Sequence, residues 1–294
     1  MLGRPEVSVV IPVFEQSREL VACLCALHRQ TFPIDLCEVL VIDNGPSDAA
    51  ATATAWFPFA RYLVEVKAGS YAARNCGLRH ARGDILAFLD ADCVPDEAWL
   101  EQGVRAVRRL PGLGLVGGRV DLTYRDPAHL TGAELFERVY GFRQHSYINL
   151  LGFSVTANLW TTKDTLREVG PFDDRLFSGG DCEWGQRVTR RFAGLYVDEV
   201  RVTHPARRTL RALCQRTRRV AGGLQQLRER RGSGVQGMGP HLVRELVLQR
   251  SMRAAPLKAT PREWLRFACV SWVVRAVQIM ECYRVHYGGT PRRA

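Results

Sequence analysis

"SYAARNCGLRHARGDILAFLDADCVP", residues 70–95, joins a helix pattern to a buried-strand pattern. The helix is expected to end near Gly83, and the apolar run 85–89 is typical of a buried strand. That strand is followed by Asp90 and Asp92, with one small residue between them. Two adjacent carboxylates repel each other, so they are either a polar turn after a strand or a site for a cation and a polar ligand.

Strand-like and helix-like segments alternate through the first 120 residues. The runs "VSVVIPVF", "EVLVID" and "YLVEV" are typical of strands, and Ser17 can begin a helix after the first of them. A βαβαβ order predicts a mainly parallel sheet with right-handed crossovers. Ligands bind beyond the carboxyl ends of such strands, so Asp43, Asp90 and Asp92 are expected to meet at one sheet edge.

The segments beyond this sheet predict further helices and strands. We expect helices over 96–109 and 131–148, with a strand over 114–120 between them. The segment "GFSVTANLW" is expected to form a strand and "TKDTLREVG" a short helix. A glycine-rich loop then leads into a helix that starts near Asp181, and the strand "LYVDEVRV" is expected to end just before His204.

A change of composition divides the chain. From Pro205 onward the sequence becomes helix-forming and basic, which predicts a first domain over 1–205 and a basic helical extension over 206–294. Within the extension, Gly232 to Pro240 is typical of a linker between two helices.

Cysteine usage and hydropathy favour a cytoplasmic protein. The nine cysteines are odd in number and form no CxxC pair, which favours free, buried thiols in a reducing compartment. We predict no signal peptide, and the late apolar run "FACVSWVVRAVQIM" is interrupted by Arg275 and too short to span a bilayer.

The charge is distributed unevenly. Residues 201–294 hold 20 Lys and Arg against 4 Asp and Glu, whereas residues 1–200 hold 21 against 26. The extension should therefore be attracted to an anionic membrane face, a phosphate-bearing acceptor or a nucleic acid, unless its arginines form only a solvated helix surface. Residues 205–235 lack interleaved aromatic side chains, so we predict no nucleic-acid partner.

Several common catalytic motifs are absent from the sequence. There is no GxxxxGK[ST] loop, no GxGxxG after the first strand, no GxSxG elbow and no HExxH pair. These absences argue against P-loop nucleotide hydrolysis, dinucleotide binding, serine-nucleophile chemistry and zinc-protease chemistry. What remains is an α/β protein with carboxylates at its strand ends.

Five blocks of the sequence resemble family 2 glycosyltransferases, in the order expected of that family. The blocks are "VSVVIPVFEQ", "VIDNGPSD", "GSYAARNCGLRHARGDILAFLDADCVP", "GPFDDRLFSGGDCEWGQR" and "VRVTHP", which together span residues 5–205. The resemblance implies the GT-A fold, a Rossmann-like, mainly parallel sheet flanked by helices. It also implies inverting, metal-dependent transfer of a sugar from a nucleotide sugar to an acceptor hydroxyl.

The resemblance assigns the Asp-x-Asp pair to the sugar donor. It implies that Asp90 contacts the ribose and that Asp92 binds Mn²⁺ or Mg²⁺, with His204 as a second ligand. A divalent cation suits carboxylate and phosphate oxygens and would offset the repulsion between the two aspartates. His204 could instead be an ordinary structural histidine.

The resemblance also implies a nucleotide pocket. Arg74 and Asn75 would lie beside the donor, and Asp43 would hydrogen-bond the base, typically uracil. Pro12 and Phe14 would form the wall of the base pocket. Asp43 could alternatively form an Asx-turn, and the two wall residues could be core residues.

Three positions depart from the family pattern. Glu15 stands where Asn is common, Asn44 where a second Asp is common, and Gly180 where a Glu usually precedes the catalytic base. UDP remains the predicted donor nucleotide.

The acidic block near residue 180 supplies the predicted acceptor side. Asp181 matches the catalytic base, which would take the proton of the acceptor hydroxyl, although it could be only a helix N-cap. Glu183 is the second acid, and Trp184 would line the acceptor pocket unless it belongs to the core. Arg219 stands where processive synthases of this superfamily have Trp, so we expect transfer of a single sugar.

Other functions stay open at this point. A sugar nucleotidyltransferase would share the sheet, the metal and the carboxylates, and a non-catalytic scaffold would bind polyanions through the basic extension. For the glycosyltransferase, the expected partners are a nucleotide sugar and a glycan or lipid-linked acceptor. The late helices would lie on the inner membrane face, pack on the catalytic domain or support a homodimer.

Overall fold

The computed structural model describes residues 4–15, 17–45, 48–109, 112–230, 232 and 259–292. One eight-stranded sheet organises most of the fold, with its strands in the order β3-β2-β1-β4-β7-β6-β8-β5. The strands are β1 (Val7–Val13), β2 (Cys37–Asp43), β3 (Ala60–Val64), β4 (Ile85–Leu89), β5 (Val94–Pro95), β6 (Leu113–Thr123), β7 (Asn158–Thr162) and β8 (Ala193–Pro205).

Helices connect these strands. In chain order they are α1 (Ser17–His28), α2 (Asp48–Ala55), α3 (Ser70–His80), α4 (Trp99–Arg108), α5 (Gly132–Tyr140), α6 (Gln144–Leu151), α7 (Lys163–Val169), α8 (Gly180–Thr189), α9 (Leu210–Arg230) and α10 (Pro261–His286). A single 3₁₀ turn, Ile34–Leu36, precedes β2.

The first half of the sheet is parallel, as the βαβαβ pattern predicts. β1 pairs in parallel with β2 and β4, and β2 pairs in parallel with β3. Every residue of β2 and β4 is buried. On α1, the side chains of Leu20, Leu24 and Leu27 are fully buried in the core, because spacings of three and four place them on one helix face.

The second half of the sheet is antiparallel, so the sheet is mixed. β7 runs antiparallel to both β4 and β6, and β5 runs antiparallel to β8. The predicted α/β class with a parallel sheet is confirmed for β2, which ends at Asp43, and for β4, which precedes Asp90 and Asp92. The antiparallel pairs involve β5 to β8, which follow β4 in the chain. They therefore come after the alternating segments that predicted parallel pairing.

Asn158 ties the antiparallel half together from inside the core. Its amide nitrogen donates to the backbone oxygens of Arg119 and Val200, each at 2.9 Å, and its side-chain oxygen accepts from Trp99 Nε1 at 2.9 Å. A Cβ at Gly118 would lie only 2.2 Å from the Val200 carbonyl oxygen. Glycine is therefore required where these strands approach.

The helix predicted over 131–148 is wrong, because the structure divides it into α5 and α6. Gly141 is extended, with φ −69° and ψ 152°, and Phe142 has φ +23°. Both conformations end an α-helix. The structure also moves two other bounds, since α4 begins at Trp99 rather than at residue 96, and β8 continues through His204.

The chain divides into two compact units. The first unit comprises 1–121, 142–175 and 180–205, and the second comprises 122–141, 176–179 and 206–294. The predicted domain boundary at Pro205 stays a prediction. The predicted linker from Gly232 to Pro240 lies outside the described residues apart from Gly232 itself.

Within the second unit, α5, α9 and α10 share two small apolar clusters. Their buried members include Leu135, Leu213, Phe267 and Val274. None of the helices in the described ranges is both long enough and apolar enough to cross a membrane.

Candidate active site

The two aspartates after β4 face different basic side chains. Arg74 Nη2 donates to Asp90 Oδ1 at 2.5 Å, and His204 Nε2 lies 3.3 Å from Asp92 Oδ2. Each carboxylate thus has its own partner on another element, Arg74 on α3 and His204 on β8. The Arg74 guanidinium offsets part of the repulsion between the two carboxylates that the sequence raised as a problem.

Arg74 is a buried cation that still has hydrogen-bonding capacity. The residue is only 3% exposed, and its Nη1 donates to the Ser70 carbonyl oxygen at 3.3 Å. Its Nε is buried and has no hydrogen-bond partner. Since an unpaired buried N–H is unfavourable, this guanidinium is suited to an anionic ligand such as a phosphate.

Asp181, at the start of α8, faces the same group of side chains. Its Oδ1 accepts from the Tyr71 hydroxyl at 3.1 Å and from the Cys182 backbone N–H at 2.9 Å. Burial raises the pKa of the Asp181 carboxyl above its ordinary value, although the Cys182 N–H, Arg74 and Tyr71 all act to lower it. A raised carboxyl pKa is the property expected of a general base in a protected site.

Gly180 makes room for Tyr71. A Cβ at Gly180 would lie 2.7 Å from Tyr71 Cε2, which is closer than side chains pack. The Tyr71 ring is also 5.7 Å from Arg74 Cζ, within the range of a cation–π contact. The glycine that departs from the family pattern therefore allows an aromatic side chain to reach the predicted base.

His204 and Asp92 form the pair that could hold a metal. His204 Nδ1 donates to the Pro205 carbonyl oxygen at 2.8 Å, which leaves Nε2 as the ring nitrogen that could bind a metal beside Asp92. Across the residues that the structure describes, no group of three or more His, Cys, Asp or Glu could hold a metal. A cation bound here would therefore take its other oxygen ligands from a diphosphate and water, as Mg²⁺ and Mn²⁺ commonly do.

The end of β2 places Asp43 in a structural role. Its Oδ1 accepts from the Gly45 N–H at 3.0 Å and its Oδ2 from the Tyr62 hydroxyl at 2.9 Å, and the residue is 1% exposed. Burial and this carboxylate raise the pKa of Tyr62 to about 12. The Asx-turn interpretation is confirmed, and the contact with a base stays a prediction.

Phe14 lies over the same turn. A Cβ at Gly45 would be 2.6 Å from the Phe14 ring, and the ring is half-buried. Pro12, also half-buried, is paired in register with Ile42 at the end of β1. These positions are compatible with the predicted pocket wall, which stays a prediction.

Asn44, the second departure from the family pattern, holds the loop before α3. Its amide nitrogen donates to the carbonyl oxygens of Glu65 and Lys67, both at 2.8 Å, and its side-chain oxygen accepts from the Gly69 N–H at 2.7 Å. A carboxylate could accept the last bond but could not donate the first two. The amide therefore determines how the chain enters the helix that carries Arg74.

The third departure, Glu15, adopts a left-handed conformation. Its φ is +59°, and its side chain is exposed. Asn occupies this region more readily than Glu. The substitution thus leaves a local strain at the end of β1.

The two predicted acceptor residues make contacts within the fold. Both Glu183 carboxylate oxygens are bound by Arg187, at 2.7 and 3.0 Å. Trp184 is fully buried, donates to the Gly170 carbonyl oxygen at 3.0 Å and packs on Phe172. The prediction that Trp184 lines an acceptor pocket is therefore wrong, because it has no exposed face, and Glu183 forms an ion pair within the fold.

Asn75 also has a structural role here. Its side chain donates to the Phe172 carbonyl oxygen at 2.9 Å and accepts from the Phe172 N–H at 3.1 Å. This reciprocal pair fixes the segment before α8 against α3. Sequence reasoning missed Tyr71 as the partner of Asp181 and Tyr62 as the partner of Asp43. The only signal for Tyr71 was its place in the same helix turn as Arg74.

One wall of a cavity of about 320 Å³ lies next to the pair formed by Asp92 and His204. Phe142 lines it, and the Phe142 ring lies 4.7 Å from the His204 ring. The polar side chains of the lining come from Arg119, Asp121, Arg143, Gln144, His145, Ser146 and Tyr196. Charged, hydroxyl and aromatic groups of this kind suit a polyhydroxylated ligand.

Comparison with known proteins agrees with this geometry. Residues 8–167 match the family model described as "Glycosyl transferase family 2". The chain is 39% identical to the glycosyltransferase AglE of Haloferax volcanii over 209 residues, covering 69% of this chain and 68% of AglE. It is 29% identical to the pre-mycofactocin glycosyltransferase of Mycobacterium tuberculosis over 222 residues, but spans only 44% of that protein's length.

A solved structure has a similar fold. The mannosyltransferase PcManGT from Pyrobaculum calidifontis, determined in complex with GDP-Man and Mn²⁺, superposes with a TM-score of 0.58 at 17% sequence identity. The match covers 98% of this chain and 77% of PcManGT.

Proposed function

Because the chain belongs to glycosyl transferase family 2, and is therefore a glycosyltransferase that uses a nucleotide sugar, we propose that it transfers a single sugar with inversion at the anomeric carbon. The observation that carries the proposal is the meeting of Asp181, Tyr71, Arg74 and Asp90 beside the end of β4. A base and an anion-binding cation are thus close together, as direct displacement of a diphosphate requires.

Asp181 acts as the general base in this proposal. Its carboxylate takes the proton of the acceptor hydroxyl as the hydroxyl oxygen forms a bond to the anomeric carbon and the bond to the diphosphate breaks. Burial raises its pKa, which makes the ionised carboxylate a better proton acceptor. The Tyr71 hydroxyl and the Cys182 N–H hold one of its oxygens in place.

Arg74 and Asp90 position the donor. The buried Arg74 guanidinium, with its unpaired Nε, binds the diphosphate, and the half-buried Asp90 accepts from a ribose hydroxyl. Asp92 and His204 would hold Mn²⁺ or Mg²⁺, which neutralises the charge that develops on the departing diphosphate. Mn²⁺ is the cation in the PcManGT complex.

We propose a uridine diphosphate sugar as the donor, with a guanosine diphosphate sugar as the competing choice. The uridine assignment rests on the family resemblance of Asp43, whereas PcManGT was solved with GDP-Man. Titration calorimetry with UDP, GDP and TDP, each with and without Mn²⁺, distinguishes them. Tighter binding of GDP than of UDP would overturn the uridine assignment and leave the proposed reaction intact.

The cavity beside Phe142 is the proposed acceptor subsite, for a glycan or lipid-linked sugar. This subsite takes the place of the acceptor side predicted from Glu183 and Trp184, whose side chains make contacts within the fold. Filling it with Ser146→Trp should abolish transfer while diphosphate binding is kept. Loss of both would instead show that the cavity belongs to the donor site or that the variant misfolds.

The decisive experiment compares Asp92→Ala with Asp181→Asn. Binding of a nucleoside diphosphate should depend on metal and be lost in Asp92→Ala, and it should be retained in Asp181→Asn. Transfer, followed as diphosphate release with a panel of sugar and lipid-linked acceptors, should fall by about 10³-fold in Asp181→Asn. Wild-type transfer by Asp181→Asn would refute the assignment of the base.

A further inference from the structure

Helix α10 is apolar on two opposite faces. Its inward residues, among them Phe267, Val274 and Val285, are buried within the second unit. Five large apolar or aromatic side chains lie on the other side, all at least a third exposed, and we call them the outer stripe: Leu265, Trp272, Met280, Tyr283 and Tyr287. Spacings of seven, eight, three and four residues place them along one face of the helix.

The outer stripe is far from the composition expected of a solvated helix face. Large exposed apolar patches mark sites of interaction, whereas single exposed apolar residues need no explanation. The stripe extends from the first turn of α10 to the residue after its end. Something apolar is therefore expected to cover it.

Positive charge borders the outer stripe. Arg262 and Arg266 are exposed in the first turns of α10. The helix has only two acidic residues, and of these only Glu263 lies near this charge. Glu281 is buried and paired with Arg284, and Glu263 forms the capping box with Thr260.

Helix α9 of the same unit adds to the positive charge. Arg211, near its start, and Arg228 and Arg230, at its end, are all exposed. Residues 201–294 as a whole hold 20 Lys and Arg against 4 Asp and Glu. The part of the sequence that carries the stripe is therefore strongly cationic.

We propose that α10 docks on an anionic lipid surface, lying in the plane of the interface with the outer stripe inserted among the headgroups. A helix with an apolar face and flanking arginines gains both from apolar burial and from attraction to anionic lipids. Trp272, Tyr283 and Tyr287 supply the amphipathic rings that favour the membrane–water boundary. The absence of a membrane-spanning helix in the described residues agrees with this mode of attachment.

A second copy of the chain is a less suitable occupant. A two-fold interface brings the same patch of both copies together. The arginines that border the stripe would then face positive charge on the partner, with no exposed acid of α10 except Glu263 to pair with them. An anionic bilayer instead complements the arginines that border the stripe.

The test measures binding of the full chain to vesicles and compares two matched tryptophan variants. Trp272 and Trp56 are each 66% exposed, but Trp56 lies in the first unit, away from α10 in the sequence. We expect wild-type protein to float with vesicles containing about 30% phosphatidylglycerol and to stay behind with pure phosphatidylcholine. Trp272→Ala should weaken binding by about fivefold or more, whereas Trp56→Ala should leave it unchanged.

Three outcomes would overturn the proposal. These are equal binding to neutral and anionic vesicles, equal effects of the two tryptophan variants, and a stable dimer in solution that Trp272→Ala dissociates. Unchanged binding of nucleoside diphosphate by Trp272→Ala verifies that the variant is folded. Because lipid binding is measured without transfer, the result does not depend on the proposed reaction.

Discussion

At the scale of single residues, Tyr71 connects the two groups on which the proposed reaction depends. Its ring lies 5.7 Å from Arg74 Cζ, and its hydroxyl donates to Asp181 Oδ1 at 3.1 Å. In the proposed reaction it acts through Asp181, so we regard it as a positioning residue. Its effect should appear in the protonation of Asp181 rather than in donor binding.

Replacing Tyr71 by Phe should shift the pH profile of transfer. The hydroxyl stabilises the ionised carboxylate and lowers its pKa, so its loss should raise the pKa of Asp181 further. The base must be ionised to accept a proton. As the pH is lowered, the variant should therefore lose activity at a higher pH than the wild type does. Measuring kcat against pH tests this prediction. It would be contradicted if the variant had a lower maximal kcat but lost activity at the same acidic pH as the wild type.

Glu15 gives a prediction for stability. Glu15→Asn should raise the free energy of unfolding by about 0.5–1 kcal/mol, because Asn accepts a positive φ at lower cost than Glu. Urea unfolding of the variant measures the gain. A less stable variant would mean that the Glu15 side chain contributes more than its exposure indicates.

At the scale of elements, the position of α3 depends on a loop that Asn44 holds by three hydrogen bonds. The helix carries both Tyr71 and Arg74 in its first turns. A change at the end of β2 should therefore reach the diphosphate site without touching it.

Asn44→Asp tests this connection. A carboxylate would face the carbonyl oxygens of Glu65 and Lys67 instead of donating to them, and we expect a loss of about 3 kcal/mol in unfolding free energy. Nucleoside diphosphate binding should weaken as well. The control is Asn149→Asp, since Asn149 is exposed and its amide contacts the nearby His145. Equal losses in both variants would refute the role given to Asn44.

At the scale of the whole molecule, the donor and metal should stabilise the folded chain together. A ligand present at about 100 times its dissociation constant adds about 2.7 kcal/mol to the unfolding free energy. Thermal unfolding with UDP and Mn²⁺ should therefore occur at a higher temperature than with either alone, and a chelator should remove the gain. Stabilisation by UDP that the chelator leaves intact would argue against a metal between Asp92 and the diphosphate.

The sequence predicted the parallel half of the fold because hydrophobic period and turn residues act locally. The strands that end at Asp43 and Asp90, and the helices between them, follow from such patterns. Tyr71 could not be assigned in this way, because its partner Asp181 lies 110 residues further along the chain. The role of Asn44 depends likewise on carbonyl groups 21 and 23 residues away.

Trp184 shows the opposite limit of sequence reasoning. A tryptophan next to a predicted base is compatible with both a sugar platform and a core position, and only its zero exposure decides between them. The break between α5 and α6 has a similar origin. It rests on the backbone angles of Gly141 and Phe142, which hydrophobic spacing does not specify.

The distribution of thiols makes the protein unusually easy to label at one place. None of the nine cysteines forms a disulfide bond, and Cys269 alone among them is exposed. Burial raises the pKa of Cys37 to about 12 and also raises the pKa of Cys76 and Cys282, which makes these thiols slow to react. A maleimide dye used at equimolar ratio should therefore label Cys269 on α10, four residues after Leu265, without mutagenesis. Its fluorescence would report the binding of a lipid or protein surface to that helix.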